Sequence, residues 1–128
     1  MGTHSEEELI EAFNLMWGKY PEPVRLIDKN ETIIAGNEAY LATSGAEMIG
    51  TRCRDLQPAE LHIGCKHAKC IRTGEAQTKD LEILGDVWHT YWVPVQGEPD
   101  YLIHFSNGIM ETFAKMAAMK EQVDGEQA

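Results

Sequence analysis

The sequence predicts an α+β domain built on one antiparallel sheet, and three observations predict it. Helical periodicity is confined to the two ends and to short stretches in the middle. Short runs of β-branched and aromatic residues stand in two groups on either side of that middle. A Gly-Glu-Pro-Asp turn at 97–100 separates the last two runs, as between neighbouring antiparallel strands. Strands split around a helical middle, rather than alternating with long helices, define this class. The chain has 128 residues, one domain by length, with enough mass to bury a core without disulfides or metal.

The first helix is expected over residues 5–17. Ser5 and Glu8 have the spacing of a capping box, and Glu6, Glu7 and Glu8 sit at the positive end of the helix dipole. Leu9, Phe13, Met16 and Trp17 share one face; Gly18, Pro21 and Pro23 end the helix. Residues 24–27 and 32–34 read as a hairpin around the polar turn 28–31. Asn37 caps a short helix that Gly45 stops, and a further helical turn over 46–49 closes at Gly50. The stretch 51–74 is less regular: Pro58 opens a short segment, and residues 65–72 are helical up to Thr73 and Gly74. Strands follow at 81–84, 88–95 and 101–105. In the second of these Trp88, Thr90 and Trp92 face one way and His89, Tyr91 and Val93 the other. The helices are expected to cover one face, with a terminal helix or a second subunit on the other. Residues 109–123 are helical, and Ile109, Phe113, Met116, Lys120 and Val123 follow a heptad seam roughly two heptads long. Such a helix either packs on its own domain or pairs with another chain.

Eleven Lys and Arg against 21 Asp and Glu give a net charge of −10. That balance argues against a nucleic-acid partner and against docking on an anionic membrane. No apolar run is long enough to span a bilayer, and the acidic N-terminus lacks the apolar core of a secretory signal, so a cytoplasmic location is expected. Cys53, Cys65 and Cys70 make an odd count that does not read as a disulfide framework.

Several strings resemble the PAS sensory domains, including the cysteine-containing PAS domains of bacterial signalling proteins. Ile34-Ala35-Gly36-Asn37-Glu38-Ala39-Tyr40 is similar to the family's strand end and Asn-led helix. Ser44-Gly45-Ala46-Glu47-Met48-Ile49-Gly50 resembles the G-x-x-E-x-x-G segment that follows. Arg54-Asp55-Leu56, Ile71-Arg72-Thr73-Gly74-Glu75 and the closing strand pair fall in the family's order. The resemblance implies a PAS-like sensor domain over 24–106, with a five-stranded antiparallel sheet and short helices on one face. Helical flanks then occupy 1–23 and 107–128. It implies sensing rather than catalysis: binding of a small ligand or cofactor, or redox sensing, relayed through dimerising terminal helices to an output domain or partner protein. Leu9, Phe13, Trp17, Ile109, Phe113 and Met116 are the expected homodimer contacts. The family's Asp-Ile-Thr at the end of the last strand is replaced here by Asn107-Gly108-Ile109, without the acid. No output domain follows in this sequence, so the chain is expected to be a free-standing sensor or a piece of a longer one.

The candidate site is a cluster of cysteine and histidine. His62, Cys65, His67 and Cys70 lie close together and Cys53 precedes them. Thiolate and imidazole suit zinc or iron, and the resemblance adds haem b, with Cys65, His67 or His62 as axial ligand and His104 as another candidate. The C-x-x-x-x-C spacing fits neither a zinc finger nor a C-x-x-C redox motif, and in a regular helix Cys65 and Cys70 point about 140° apart. The plainer reading is that the cysteines are small buried hydrophobes. Lys66, Lys69 and Arg72 give the positive surroundings that a reactive thiol needs. The expected ligand contacts are Cys53, Cys65, His67 and Cys70, with Trp88, Trp92 and Phe105 as walls. No G-x-S-x-G, Walker or H-E-x-x-H motif points to an enzyme.

Overall fold

The structure, a computed structural model, describes residues 2–55 and 64–127. Helix α1 (Glu6–Trp17) starts with the expected capping box: the Ser5 hydroxyl accepts from Glu8 N at 3.1 Å, and Ser5 N donates to the Glu8 carboxylate at 2.9 Å. Strands β1 (Val24–Asp28) and β2 (Ile33–Gly36) form the first hairpin. Helix α2 (Glu38–Ser44) and 3₁₀ turns at Ala46–Met48 and Cys53–Asp55 follow. Then come α3 (His67–Thr73), β3 (Gln77–Ile83), β4 (Asp86–Val95), β5 (Glu98–Asn107) and α4 (Ile109–Gln127). The five strands make one antiparallel sheet in the order β2-β1-β5-β4-β3.

Period-2 alternation divides the core between the two faces of the sheet. On one face Ile27, Ile33, Trp92 and Leu102 pack with Tyr40, Cys53 and Cys70 from the helical middle. On the other, Val24, Leu26 and Ala35 pack with Leu9 and Phe13 of α1, flanked by Trp17, Ile103 and Phe105. Helices therefore cover both faces. This corrects the expectation that Leu9 and Phe13 are dimer contacts: they are buried against the chain's own sheet. Trp17 is tied in beside them, with its ring 5.3 Å from Tyr20 and 5.5 Å from Phe105.

Asn37 locks this arrangement. Its side-chain oxygen accepts from Val24 N at 2.9 Å and Tyr40 N at 3.0 Å. Its amide donates to the carbonyls of Trp17, Tyr20 and Glu22. One buried side chain thus caps α2, starts β1 and holds the α1–β1 linker.

Several boundaries differ from expectation. The turn expected at 97–100 is confined to residues 96–97, because β4 ends at Val95 and β5 already starts at Glu98. Helix α3 begins at His67, two residues later than predicted, which leaves Cys65 before it and exposed. Strand β3 begins at Gln77 because backbone pairing with β4, not its own hydrophobicity, orders this polar edge. The segment expected to open at Pro58 lies outside the described residues.

The exit from the sheet is tightly built. Gly108 turns the chain at φ 110°, and a Cβ there would lie 2.8 Å from the Val87 carbonyl. The acid missing from the end of β5 is supplied from elsewhere. Glu22 accepts from Gly108 N at 3.1 Å and from Met110 N at 3.0 Å, at the positive end of α4. Trp88 Nε1 donates to the Thr112 hydroxyl at 2.9 Å, which donates to Asp86 at 2.7 Å. Lys115 pairs with the other Asp86 oxygen.

Candidate functional site

A cavity of about 110 Å³ lies between the sheet and the helical middle, lined by Ile27, Glu31, Cys53, Cys65, His67, Trp92 and His104. Each wall has a local cause. Ile27 and His104 come from β1 and β5, and Trp92 from β4, all on the sheet face that α3 covers. Glu31 sits in the β1–β2 turn at φ 67°, a left-handed conformation that a non-glycine residue adopts at a cost. That turn is fixed by Asp28, whose carboxylate accepts from Asn30 N and Thr32 N, and Glu31 O accepts from Cys53 N at 2.7 Å.

The two imidazoles are oriented by backbone carbonyls. His67 Nε2 donates to Asp28 O at 2.8 Å, which turns Nδ1 toward the Glu31 carboxylate 3.8 Å away. His104 Nδ1 donates to Tyr91 O at 2.9 Å, and its ring stacks on Trp92 with centroids 4.8 Å apart. A carbonyl only accepts, so these bonds fix which nitrogen of each ring carries a proton.

The cysteines have three different settings. The Cys53 sulfur accepts from the Arg25 guanidinium at 3.2 Å. Burial pushes the Cys53 thiol up from its ordinary range despite that positive neighbour, so it stays protonated near neutral pH. Cys70 is buried behind the cavity and donates weakly to Trp92 O at 3.6 Å; burial pushes its thiol up as well. It behaves as a small hydrophobe. Cys65 is exposed at the cavity edge.

Of the expected ligand contacts, Cys53, Cys65, His67 and Trp92 line this cavity together and three do not. Cys70 points at the β4 backbone. Trp88 shares the Trp92 face of β4, but the first turn of α4 covers it, with Thr112 on its N–H and Phe113 edge-on at 6.5 Å. Phe105 lies on the opposite sheet face, stacked on Tyr91 at 5.1 Å. Alternation explains the last correction: His104 and Ser106 face inward, so Phe105 between them faces α1. The same reasoning would have placed His104 in the cavity. Glu31 and Arg25 carry no comparable signal, since a turn acid and a strand arginine read as surface charge.

Two buried polar atoms, the Tyr40 hydroxyl and the Trp92 indole nitrogen, have no hydrogen-bond partner among the described residues. Trp92 is 3% exposed. Leaving a buried donor unpaired costs roughly 1–3 kcal/mol.

Haem b does not fit these walls. The described residues enclose far less than the roughly 300–1,000 Å³ of drug-sized sites. Among the described residues no group of three or more His, Cys, Asp and Glu side chains is placed to hold a metal ion. The expected ligand set His62, Cys65, His67 and Cys70 is divided: Cys70 faces away from the cavity, and His62 lies outside the described residues.

No protein-family model and no curated protein matches the chain. Solved structures do. The PAS domain of BvgS from Bordetella pertussis superposes with a TM-score of 0.57 at 19% identity, over 90% of this chain and 98% of that one. The PAS domain of the histidine kinase ThkA gives 0.54 at 16% identity, over 67% and 98%. VqmA from Vibrio cholerae, described as a dimer and in connection with LuxR-type receptors and target DNA, gives 0.56 at 18% identity, over 77% of this chain and 51% of that one. The chain has the PAS fold, the fold of sensor domains in signalling proteins. Among the described residues no helix is long and apolar enough to cross a membrane.

Proposed function

We propose that this chain is a PAS-type sensor that binds a small molecule in the cavity beside Trp92 and relays its occupancy to α4. Strand β4 carries the reading. Trp92 lines the cavity, and Trp88, on the same strand and face, bonds to Thr112 of α4. Asp86, where that strand begins, holds Thr112 and Lys115. A ligand that tilts β4 therefore acts directly on the exit helix. Two arrangements with different ligand affinity are required, because a ligand that binds both equally shifts neither.

The output is an attached domain or a partner protein. Homodimerisation runs through α4, whose Met110, Phe113 and Met116 stand exposed beside the half-buried Ile109. The acidic balance supports no direct nucleic-acid contact by this chain. Three unpaired thiols suit a reducing, cytoplasmic setting, and the fold likeness to sensor domains favours binding over catalysis. A thiol-based redox reading has its own support: Cys53 and Cys65 line one cavity, so a peroxide could oxidise the pair to a disulfide, itself reduced to water.

The test is to occupy the cavity edge covalently. Methylthiolation of exposed Cys65 with a methanethiosulfonate should change amide exchange over residues 109–113. Unchanged exchange there in fully labelled protein would remove the relay. A Cys53–Cys65 cross-linked peptide after peroxide treatment would favour the redox reading instead.

A further inference from the structure

We propose that the residues before α1 form a strap that the buried Glu98 carboxylate fastens to the sheet, and that protonating this carboxylate releases the strap and the start of α1. Glu98 opens β5 and is 2% exposed, an unusual place for a carboxylate. One of its oxygens accepts from Thr3 N at 2.9 Å, His4 N at 2.8 Å and His4 Nδ1 at 2.7 Å. A carboxylate only accepts, so His4 Nδ1 carries a proton whether or not the ring is charged. Gly2 lies against the other oxygen, and a Cβ there would collide with it. Residues 2–8 are all exposed, so this carboxylate, not buried apolar surface, holds the strap in place.

The strap runs directly into the helix, since Ser5 caps α1. Tyr101, also on β5, adds a second polar tie: its hydroxyl donates to Glu6 at 3.2 Å. The first apolar anchors of α1 on the sheet are Leu9 and Phe13. The titratable groups that face Glu98 are His4, from the strap, and Glu8, from the first turn of α1. Strand β4 brings Val95 opposite it, and Lys29, after β1, pairs instead with Asp100 at 3.8 Å. The His4 imidazole, and then the His4 and Thr3 amides, hold the Glu98 carboxyl below its ordinary range against the opposing effect of burial. A folded-state value below the unfolded one stabilises fully above the unfolded value, about pH 4, and the contribution is lost as pH falls through the folded one. Acid therefore opens this latch.

The experiment follows amide exchange by NMR in the full chain from about pH 6 to about pH 3, across the carboxylate range. Rates are read as protection factors in wild type and in Glu98→Gln, and the Glu98 carboxyl carbon is titrated in parallel. The reporters are Thr3 N and His4 N, bonded to Glu98, and Leu9 N, bonded to Ser5 O in the first turn of α1. In wild type all three should lose protection together as the Glu98 carboxyl titrates, at a pH where the amides of residues 24–27 keep theirs. In Glu98→Gln they should exchange roughly tenfold faster at about pH 6 and lose their acid dependence, with residues 109–113 unchanged. Reporters that stay protected through the Glu98 titration, or that open only together with residues 24–27, would overturn the latch. So would wild-type protection of the three amides in Glu98→Gln. The wild-type titration decides the matter even if the variant does not fold.

Discussion

Asn37 shows how much one side chain can hold. It bonds two backbone N–H groups and three carbonyls from four parts of the chain. Replacing it with Ala removes a helix cap and leaves buried backbone groups unpaired, at a cost of about 2–3 kcal/mol. Asn37→Asp keeps the accepting oxygen but loses the donors, so it should fall between wild type and Asn37→Ala in urea unfolding. The capping role was legible from sequence because it is local. The bonds to Trp17, Tyr20 and Glu22 were not, because they depend on where the linker passes in space. The same limit separates the site residues. His67 and Cys65 stood out by type, and Trp92 by its strand. Glu31 enters only because its turn takes a left-handed conformation that brings its carboxylate to the cavity.

At the scale of elements, α4 is the one whose attachment carries the account. Its first turn is held by Glu22 from the α1–β1 linker and by Asp86 from the β3–β4 hairpin. The Lys115 ammonium, and next the Thr112 hydroxyl, hold the Asp86 carboxyl below its ordinary range. A folded-state value below the unfolded one stabilises fully above the unfolded value, about pH 4, and the contribution is lost as pH falls through the folded one. In acid, α4 should therefore loosen before the sheet unfolds, seen as faster amide exchange over residues 109–115. Asp86→Asn should show that loosening already at neutral pH and lose much of its acid dependence. Sequence alone flagged the missing acid at the end of β5 but could not find its replacements, which come from segments far away along the chain. Helix α1 is the counterpart. Its apolar face was legible from periodicity, but not the surface it meets: a dimer partner and the outer sheet face present the same demand. The sheet wins because Val24, Leu26 and Ala35 would otherwise lie open.

For the whole molecule, the five-stranded sheet and the order of elements were legible because strands, turns and caps each leave local marks. The remaining exposed apolar surface concentrates on α4, where Met110, Phe113, Met116 and Met119 stand out from the body. Replacing Phe113 and Met116 with Glu should halve the solution mass measured by light scattering if α4 forms the dimer. A mass unchanged by the substitutions would place any association elsewhere, and the exposed Leu15 and Met16 of α1 would be the next surface to test. The fold itself should persist, because neither residue belongs to the two core clusters.

In the proposed relay, the cavity and the exit helix are one device joined by β4. Two indoles report its two ends: Trp92 lines the cavity, and Trp88 bonds to Thr112 at the start of α4. The most direct measurement follows both indole signals together with the amides of residues 109–113 as exposed Cys65, at the cavity edge, is methylthiolated. Trp88 and those amides should move in step with Trp92 as labelling proceeds. A Trp92 signal that saturates while Trp88 and the first turn of α4 stay fixed would show a pocket that binds without signalling, and would contradict the relay.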